Sequence, residues 1–171
     1  LLGLGFGTWI SRMSYTSQQE IMDVANTLRE KRFPADVINL DVSWFSSDWK
    51  CDWQFDTVRF PAPEQMCSQL HDNGFRLSLW QQPYILKGTA LWKEACDNNL
   101  LATSNVPFSF CGQFEAAPID FTKPEAAIWY KNRLIKPLLE AGVDIIKTDF
   151  GEGIQPAMQF AGGTGHALHN V

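Results

Sequence analysis

Short apolar runs alternate along this chain with stretches of helical spacing. Gly5-Phe6-Gly7-Thr8-Trp9-Ile10 reads as a first strand, closing at Ser11-Arg12. Ser17 is placed to cap a helix, and Glu20 three residues on completes a capping box. Ile21, Val24, Ala25 and Leu28 recur at helical spacing through Arg32, and Pro34 is expected to stop that helix. Ala35 to Val42 reads as a second strand. A Trp-rich loop follows from Ser43 to Phe60, carrying Trp44, Trp49 and Trp53. Pro63 to Asn73 reads as a helix, with Gly74 as its left-handed stop. Phe75 to Trp80 is a third strand, with Pro83 just past its end, and Thr89 to Asn98 a short helix. Leu100 to Pro118 reads as an irregular, hairpin-like excursion turning at Cys111-Gly112. Pro124 suits the first position of a helix through Glu140, ended by Ala141-Gly142. Val143 to Asp149 is a fourth strand, buried along Val143-Asp144-Ile145-Ile146. Gly162 to His166 is expected to be a flexible loop before a further element.

Strands that alternate with helices, and are themselves near-continuous apolar runs, imply a parallel sheet covered by helices. The α/β pattern matches roughly the first four units of a (β/α)8 TIM barrel, as one partial barrel domain over residues 1–171. An open doubly wound sheet is the competing architecture. Gly3-Leu4-Gly5-Phe6-Gly7 lacks the spacing of a dinucleotide loop and is read as lying inside the first strand.

Composition narrows the classes. Seven Trp and twelve Phe suit either a ring-filled core or surfaces that stack on the apolar faces of sugars. For any single Trp the core is the favoured reading. A net charge of −5 without a basic block argues against nucleic acid as a partner. No apolar run approaches the roughly 20 residues that span a bilayer. Four cysteines without a CxxC spacing, beside three His, do not suggest zinc. They are expected to be free thiols in a reducing compartment, with the cytoplasm favoured. The start at Leu1-Leu2 is read as that of an internal piece of a longer protein.

Candidate chemistry gathers where strands end. The first strand offers Trp9 and Arg12, the second Asp41 and Trp44, the third Trp80 and Gln82. The fourth delivers Lys147-Thr148-Asp149-Phe150-Gly151-Glu152 into a turn. In a barrel such ends converge on one mouth. The plainer alternatives are a turn cap for Asp41 and a structural ion pair of Lys147 with Asp149 or Glu152. Ionised Asp149 suits attack at an oxocarbenium-like centre, and a nearby Lys147 cation favours that ionised form. Asp41 and Lys147 can bond sugar hydroxyls, and Trp44 and Trp80 can wall the pocket. This chemistry requires no metal or organic cofactor. Three other readings stay open. Lys147 can serve a Schiff-base lyase of the aldolase type, although a carboxylate two residues away opposes the neutral amine. A metal-dependent barrel hydrolase is disfavoured, because His71 lies on a helix and His166 and His169 in the tail. A non-catalytic carbohydrate-binding or structural half-barrel is the third. Its exposed strand edges would favour self-association, and the isolated chain is expected to be inert.

At these residues the chain resembles glycoside hydrolase family 31, the retaining α-glucosidases and α-xylosidases. Lys147 to Glu152 is similar to the family's nucleophile signature as the α-xylosidase branch writes it. Leu40-Asp41 with Trp44, Cys51-Asp52-Trp53 with Phe55-Asp56 and Phe60-Pro61, and Leu79-Trp80 with Pro83-Tyr84-Ile85 resemble successive family motifs. So do Ile119-Asp120-Phe121-Thr122, Pro124 with Trp129-Tyr130, and His169-Asn170. The resemblance implies Asp149 as nucleophile, with Asp41, Trp44, Trp80 and Lys147 lining the sugar subsite and Trp9 and Glu152 supporting it. It implies exo cleavage, with retention, of a non-reducing α-linked sugar from an oligosaccharide or small α-glycoside. The acid would come from the remainder of the parent chain. The chain departs from the branch's usual pattern in three places. Val42-Ser43 stand where Cys-Phe is usual, Gln82 where Asn is, and Gly153 where Arg is.

Overall fold

The computed structural model describes residues 2–13, 15–47 and 49–169. Along it run α1 (Leu2–Gly5), β1 (Trp9–Arg12), α2 (Gln18–Glu30), β2 (Val37–Leu40), α3 (Pro63–Asp72) and β3 (Arg76–Gln81). Then come β4 (Tyr84–Leu86), α4 (Ala90–Asp97), β5 (Phe108–Phe110), β6 (Phe114–Pro118), α5 (Pro124–Trp129), a π-helical stretch (Tyr130–Ile135) and α6 (Lys136–Glu140). The chain closes with β7 (Ile145–Thr148), β8 (Gln159–Phe160), β9 (Gly163–Thr164) and α7 (Gly165–Leu168). Two compact units result: Leu1–Gln81 with Lys136–Lys147, and Gln82–Ile135 with Thr148–Val171.

The first unit is built on a sheet of order β1-β2-β3-β7, with β1, β2 and β3 parallel. Ile38, Leu40, Leu77 and Leu79 alternate onto one face and are buried. The helices bury Ile21 and Ala25 from α2, and Met66, Cys67 and Leu70 from α3. Burial pushes the Cys67 thiol up to about 12, so it behaves as a small apolar side chain. Ser17 caps α2 as expected, its hydroxyl accepting from Glu20 N at 3.2 Å. Glu20 reaches back one residue further than a capping box requires, to Thr16 N at 2.7 Å.

Several expected boundaries move. Residues 3–5 lie in α1, so the glycine run is not inside a strand. β1 begins only at Trp9, where Val37 of β2 becomes available as its partner. Pro34 does not stop α2. Arg32 does, with φ +54°, while Phe33 N returns to Leu28 O at 2.8 Å. Gly74, φ +76°, ends α3 in the same way, and Phe75 N returns to Leu70 O. The predicted helix from Pro124 widens into a π-helical stretch just before Pro137, whose ring and missing N–H do not fit a regular α-helix. The fourth strand is half-buried rather than buried, because β7 lies at an edge of the sheet beside β3 alone.

In the second unit the expected hairpin-like excursion is the regular antiparallel pair β5–β6, and β4, from before it in the chain, completes a sheet of order β4-β6-β5. Cys111 and Gly112, at φ +52° and +68°, are the left-handed residues of the three-residue connection (111–113) between β5 and β6, where their position suggested a turn. Thr89 caps α4 through Trp92 N at 3.1 Å. The tail is ordered as the β8–β9 hairpin leading into α7, and Gln159 pairs with Thr103. Asn170, part of one family motif, lies outside the described residues. Among the described residues no helix is long and apolar enough to cross a membrane.

Candidate active site

The strands of the first unit carry a polar row across one face. Ser11, Asn39 and Ser78 stand in register on β1, β2 and β3. Asn39 Nδ2 donates to Ser11 Oγ at 3.1 Å, and Ser78 Oγ donates to Asn39 Oδ1 at 2.8 Å. Asn39 and Ser78 are buried, so the row is a satisfied interior network. Two residues beyond Asn39, on the same face, comes Asp41. Its Oδ2 accepts from Lys147 Nζ at 3.0 Å and from Asn39 Nδ2 at 3.5 Å. Because β3 lies between β2 and β7, the two backbones are roughly 9–10 Å apart. The 3.0 Å contact therefore requires both side chains to rise on one face and lean across β3. The Asp41 side chain is 13 % exposed and that of Lys147 39 %. Such a pair offers carboxylate acceptors and ammonium donors together, the combination that adjacent sugar hydroxyls need.

The tryptophans shape this strand end from within. Trp44 and Trp80 are each 1 % exposed. Trp44 Nε1 donates to Trp80 O at 2.8 Å, and Trp53 Nε1 to Gln81 Oε1 at 2.7 Å. Buried indole N–H groups need acceptors, and here they tie the Trp-rich loop to the end of β3. Trp44 and Trp80 are thus set into the core and are not open stacking platforms. Trp9 opens β1 instead of closing it, and its Nε1 donates to Leu4 O at 3.0 Å. Its expected place at a strand's C-terminal end is therefore corrected. Arg12 does close β1, but turns to Glu20 at 2.6 Å.

Asp149 and Glu152 belong to the second unit, in the turn that follows β7. Asp149 Oδ1 accepts from Phe150 N at 2.9 Å, and Glu152 is exposed. The turn is tethered by Tyr84, which stands in the family-like run Pro83-Tyr84-Ile85 but was not among the expected site residues: its Oη accepts from Gly151 N at 3.1 Å and Gly153 N at 3.0 Å. Gln82, the other polar residue after the third strand, is 1 % exposed and accepts from Tyr84 N through Oε1.

Asp120, within another of the family-like motifs, is buried and structural. It accepts from Thr122 Oγ1, Thr122 N and Ala161 N at 2.5, 3.1 and 2.8 Å, with Lys123 Nζ at 3.5 Å. Burial alone would push its pKa up. The bonds from Thr122 and Ala161 and the Lys123 cation outweigh burial and hold it below the usual carboxylate value. A depressed folded pKa contributes stability that is present above the unfolded value of about 3.9 and lost as pH falls through the folded one. Urea melts should therefore show this clamp weakening below about pH 4. Asp120→Asn should cost about 1–3 kcal/mol at neutral pH and flatten that acid limb. A variant that keeps the wild-type acid limb would remove Asp120 as its source.

A cleft of about 740 Å³ lies between α2 and α3, on Ser17, Gln18, Met22, Gln65 and Gln69, and neither Asp41 nor Lys147 lines it. A hollow of about 190 Å³ is lined by Tyr84, Phe108, Phe110, Phe150 and Glu152. Among the described residues no three of His, Cys, Asp and Glu are grouped so as to hold a metal ion.

Residues 3–171 match the family described as Glycosyl hydrolases family 31 TIM-barrel domain. The alpha-xylosidase XylQ of Lactiplantibacillus pentosus is 35 % identical over 154 residues, which are 87 % of this chain and 20 % of XylQ. Among solved structures, the Flavobacterium johnsoniae GH31 dextranase FjDex31A complexed with glucose aligns with a TM-score of 0.88 and 26 % identity. That alignment covers 98 % of this chain and 22 % of the dextranase. A GH31 alpha-xylosidase from a soil metagenome, complexed with xylose, gives 0.85 and 23 %, covering 96 % of this chain and 25 % of that one. The chain spans about a fifth of the length of the curated relatives it matches.

Proposed function

The chain belongs to glycosyl hydrolase family 31, within its TIM-barrel domain, and from that premise we propose that the protein hydrolyses α-linked glycosides with retention of configuration. The observation that carries the reading is the Asp41–Lys147 pair at the ends of β2 and β7, with Asp149 two residues further along the chain. Asp41 accepts from sugar hydroxyls, and Lys147 donates to them. The Asp149 carboxylate attacks the anomeric carbon. The bond to the leaving oxygen breaks as that oxygen takes a proton from an acid outside this chain. Water then attacks the glycosyl ester from the opposite face, losing its proton to the same residue and freeing Asp149. The relative's name, alpha-xylosidase, makes an α-xyloside the first substrate to try, beside α-glucosides.

Lys147 Nζ is engaged with the Asp41 carboxylate at 3.0 Å. Schiff-base chemistry calls instead for a lysine in an apolar pocket or beside another cation, which argues against the lyase reading.

The test is the anomer first released from aryl α-glycosides by the full-length protein, followed by proton NMR. The α-anomer should appear first and then mutarotate. Initial release of the β-anomer, or no cleavage of any α-glycoside, would remove the retaining assignment.

A further inference from the structure

The turn after Asp149 adopts a backbone conformation that bulky residues avoid. Phe150 has φ +59° and Gly151 φ +111°. A left-handed Phe persists only where its surroundings impose that conformation. Two contacts do so within the second unit. The Phe150 ring packs edge-on against Phe110, with centroids 5.0 Å apart at 87°. The Tyr84 hydroxyl accepts from the N–H groups of both Gly151 and Gly153, using both of its lone pairs. Tyr84 is itself fixed: it is 1 % exposed, with Phe108 and Phe110 at 4.8 and 5.5 Å. Burial raises its pKa above the ordinary phenol value despite the two amide bonds, so it stays a neutral hydroxyl.

Gly153 fits closely against the same group. A Cβ there would stand 2.7 Å from Tyr84 Oη and 2.7 Å from the Phe108 ring. The turn is thus held by one hydroxyl and kept close to it by the missing side chain. Asp149 precedes the turn directly, and its Oδ1 is bonded to the N–H of the left-handed Phe150. Rotation of the Phe150 peptide would therefore redirect the carboxylate.

We propose that Tyr84 is a positioning residue: its hydroxyl holds the Phe150–Gly153 turn and, through Phe150 N, sets the direction of the Asp149 carboxylate. This rests on the reading of Asp149 as the nucleophile. Tyr84 touches neither sugar nor reacting atoms in this role. Its loss should therefore appear in the chemical step and not in substrate affinity.

Tyr84→Phe in the full-length protein removes the hydroxyl and keeps the packed ring. kcat is expected to fall about 10- to 100-fold, the scale of a misplaced reacting group, with KM changed less than about threefold. Covalent trapping by the 5-fluoroglycosyl fluoride of the cleaved sugar should slow in the same proportion. Gly153→Ala, which crowds the same contact with Tyr84 intact, should show the same split and decides the matter if Tyr84→Phe does not fold. Ala25→Gly, in the core of α2, serves as a control that lowers stability alone. Wild-type kcat in Tyr84→Phe, or a loss no larger than the unfolded fraction explains, would overturn the proposal. Retained activity in Asp149→Asn would instead remove the reading beneath it. An inactive Asp149→Asn beside a fully active Tyr84→Phe would remove this inference alone.

Discussion

Asp149→Asn in the full-length protein is expected to lower kcat for α-glycosides by about 10⁴- to 10⁶-fold, the loss seen when a principal reacting group is removed. The amide is nearly the same size as the carboxylate, and its oxygen can still accept from Phe150 N, the bond that Asp149 Oδ1 makes at 2.9 Å. The melting temperature should therefore change little while the chemistry stops, because a neutral amide has no charge to stabilise an oxocarbenium-like centre and forms no glycosyl ester. Azide offers a second readout with Asp149→Gly. An anion entering the vacated space forms a bond to the anomeric carbon as an activated leaving group departs. The product should be the β-glycosyl azide, since the anion arrives from the face that Asp149 occupied. Activity within about tenfold of wild type in Asp149→Asn would remove the nucleophile assignment.

The parts of the fold that local chemistry dictates were legible in the chain. Ser17 and Thr89 cap helices because their hydroxyls reach N–H groups three residues on. Gly74 ends α3 because that stop needs φ +76°. The misread parts depend on partners distant in sequence. β1 starts where Val37 can pair with Trp9, not where its own apolar run begins. β4 has only three residues, and what makes it a strand is β6, whose Pro118 pairs with Tyr84. Arg32 adopts a left-handed conformation that nothing in its side chain favours, so Pro34 looked like the stop.

The candidate site divides in the same way. Lys147 and Asp149 stood out because charged residues end an apolar run. Asn39 and Ser78 were equally readable. Each interrupts an apolar strand at alternate positions, Ile38-Asn39-Leu40 and Leu77-Ser78-Leu79, and that period of two marks a face of different character. Reading those strands as continuous apolar runs concealed the interior polar row that leads up to Asp41. The partnership of Asp41 with Lys147 spans 106 residues, and that of Tyr84 with Gly151 spans 67, so neither leaves a local signature. Trp44 and Trp80 attracted attention as residues that could wall a sugar pocket. Their burial and the bond from Trp44 Nε1 to Trp80 O show that an abundance of rings does not by itself reveal which ones face a ligand.

Lys147→Met and Asp41→Asn are each expected to lower kcat/KM by roughly 10- to 150-fold. Each removes hydrogen bonds between a charged group and sugar hydroxyls, worth about 1.5–3 kcal/mol, and each 1.4 kcal/mol is tenfold in rate. The two variants should differ in stability. Lys147→Met leaves a carboxylate with a 13 % exposed side chain without its cation, whereas Asp41→Asn leaves an ammonium on a side chain 39 % exposed, which water can solvate. Stranding the more buried charge is the costlier change, so Lys147→Met should melt at the lower temperature. The double variant separates direct binding from mutual support. If the 3.0 Å contact holds both groups in place for the sugar, the second substitution removes much less than it does alone, and the cycle shows a coupling of about 1 kcal/mol or more. Losses that multiply would mean that each residue meets the sugar independently, with their contact incidental to catalysis. Wild-type kcat/KM in both single variants would take the sugar away from this strand end altogether.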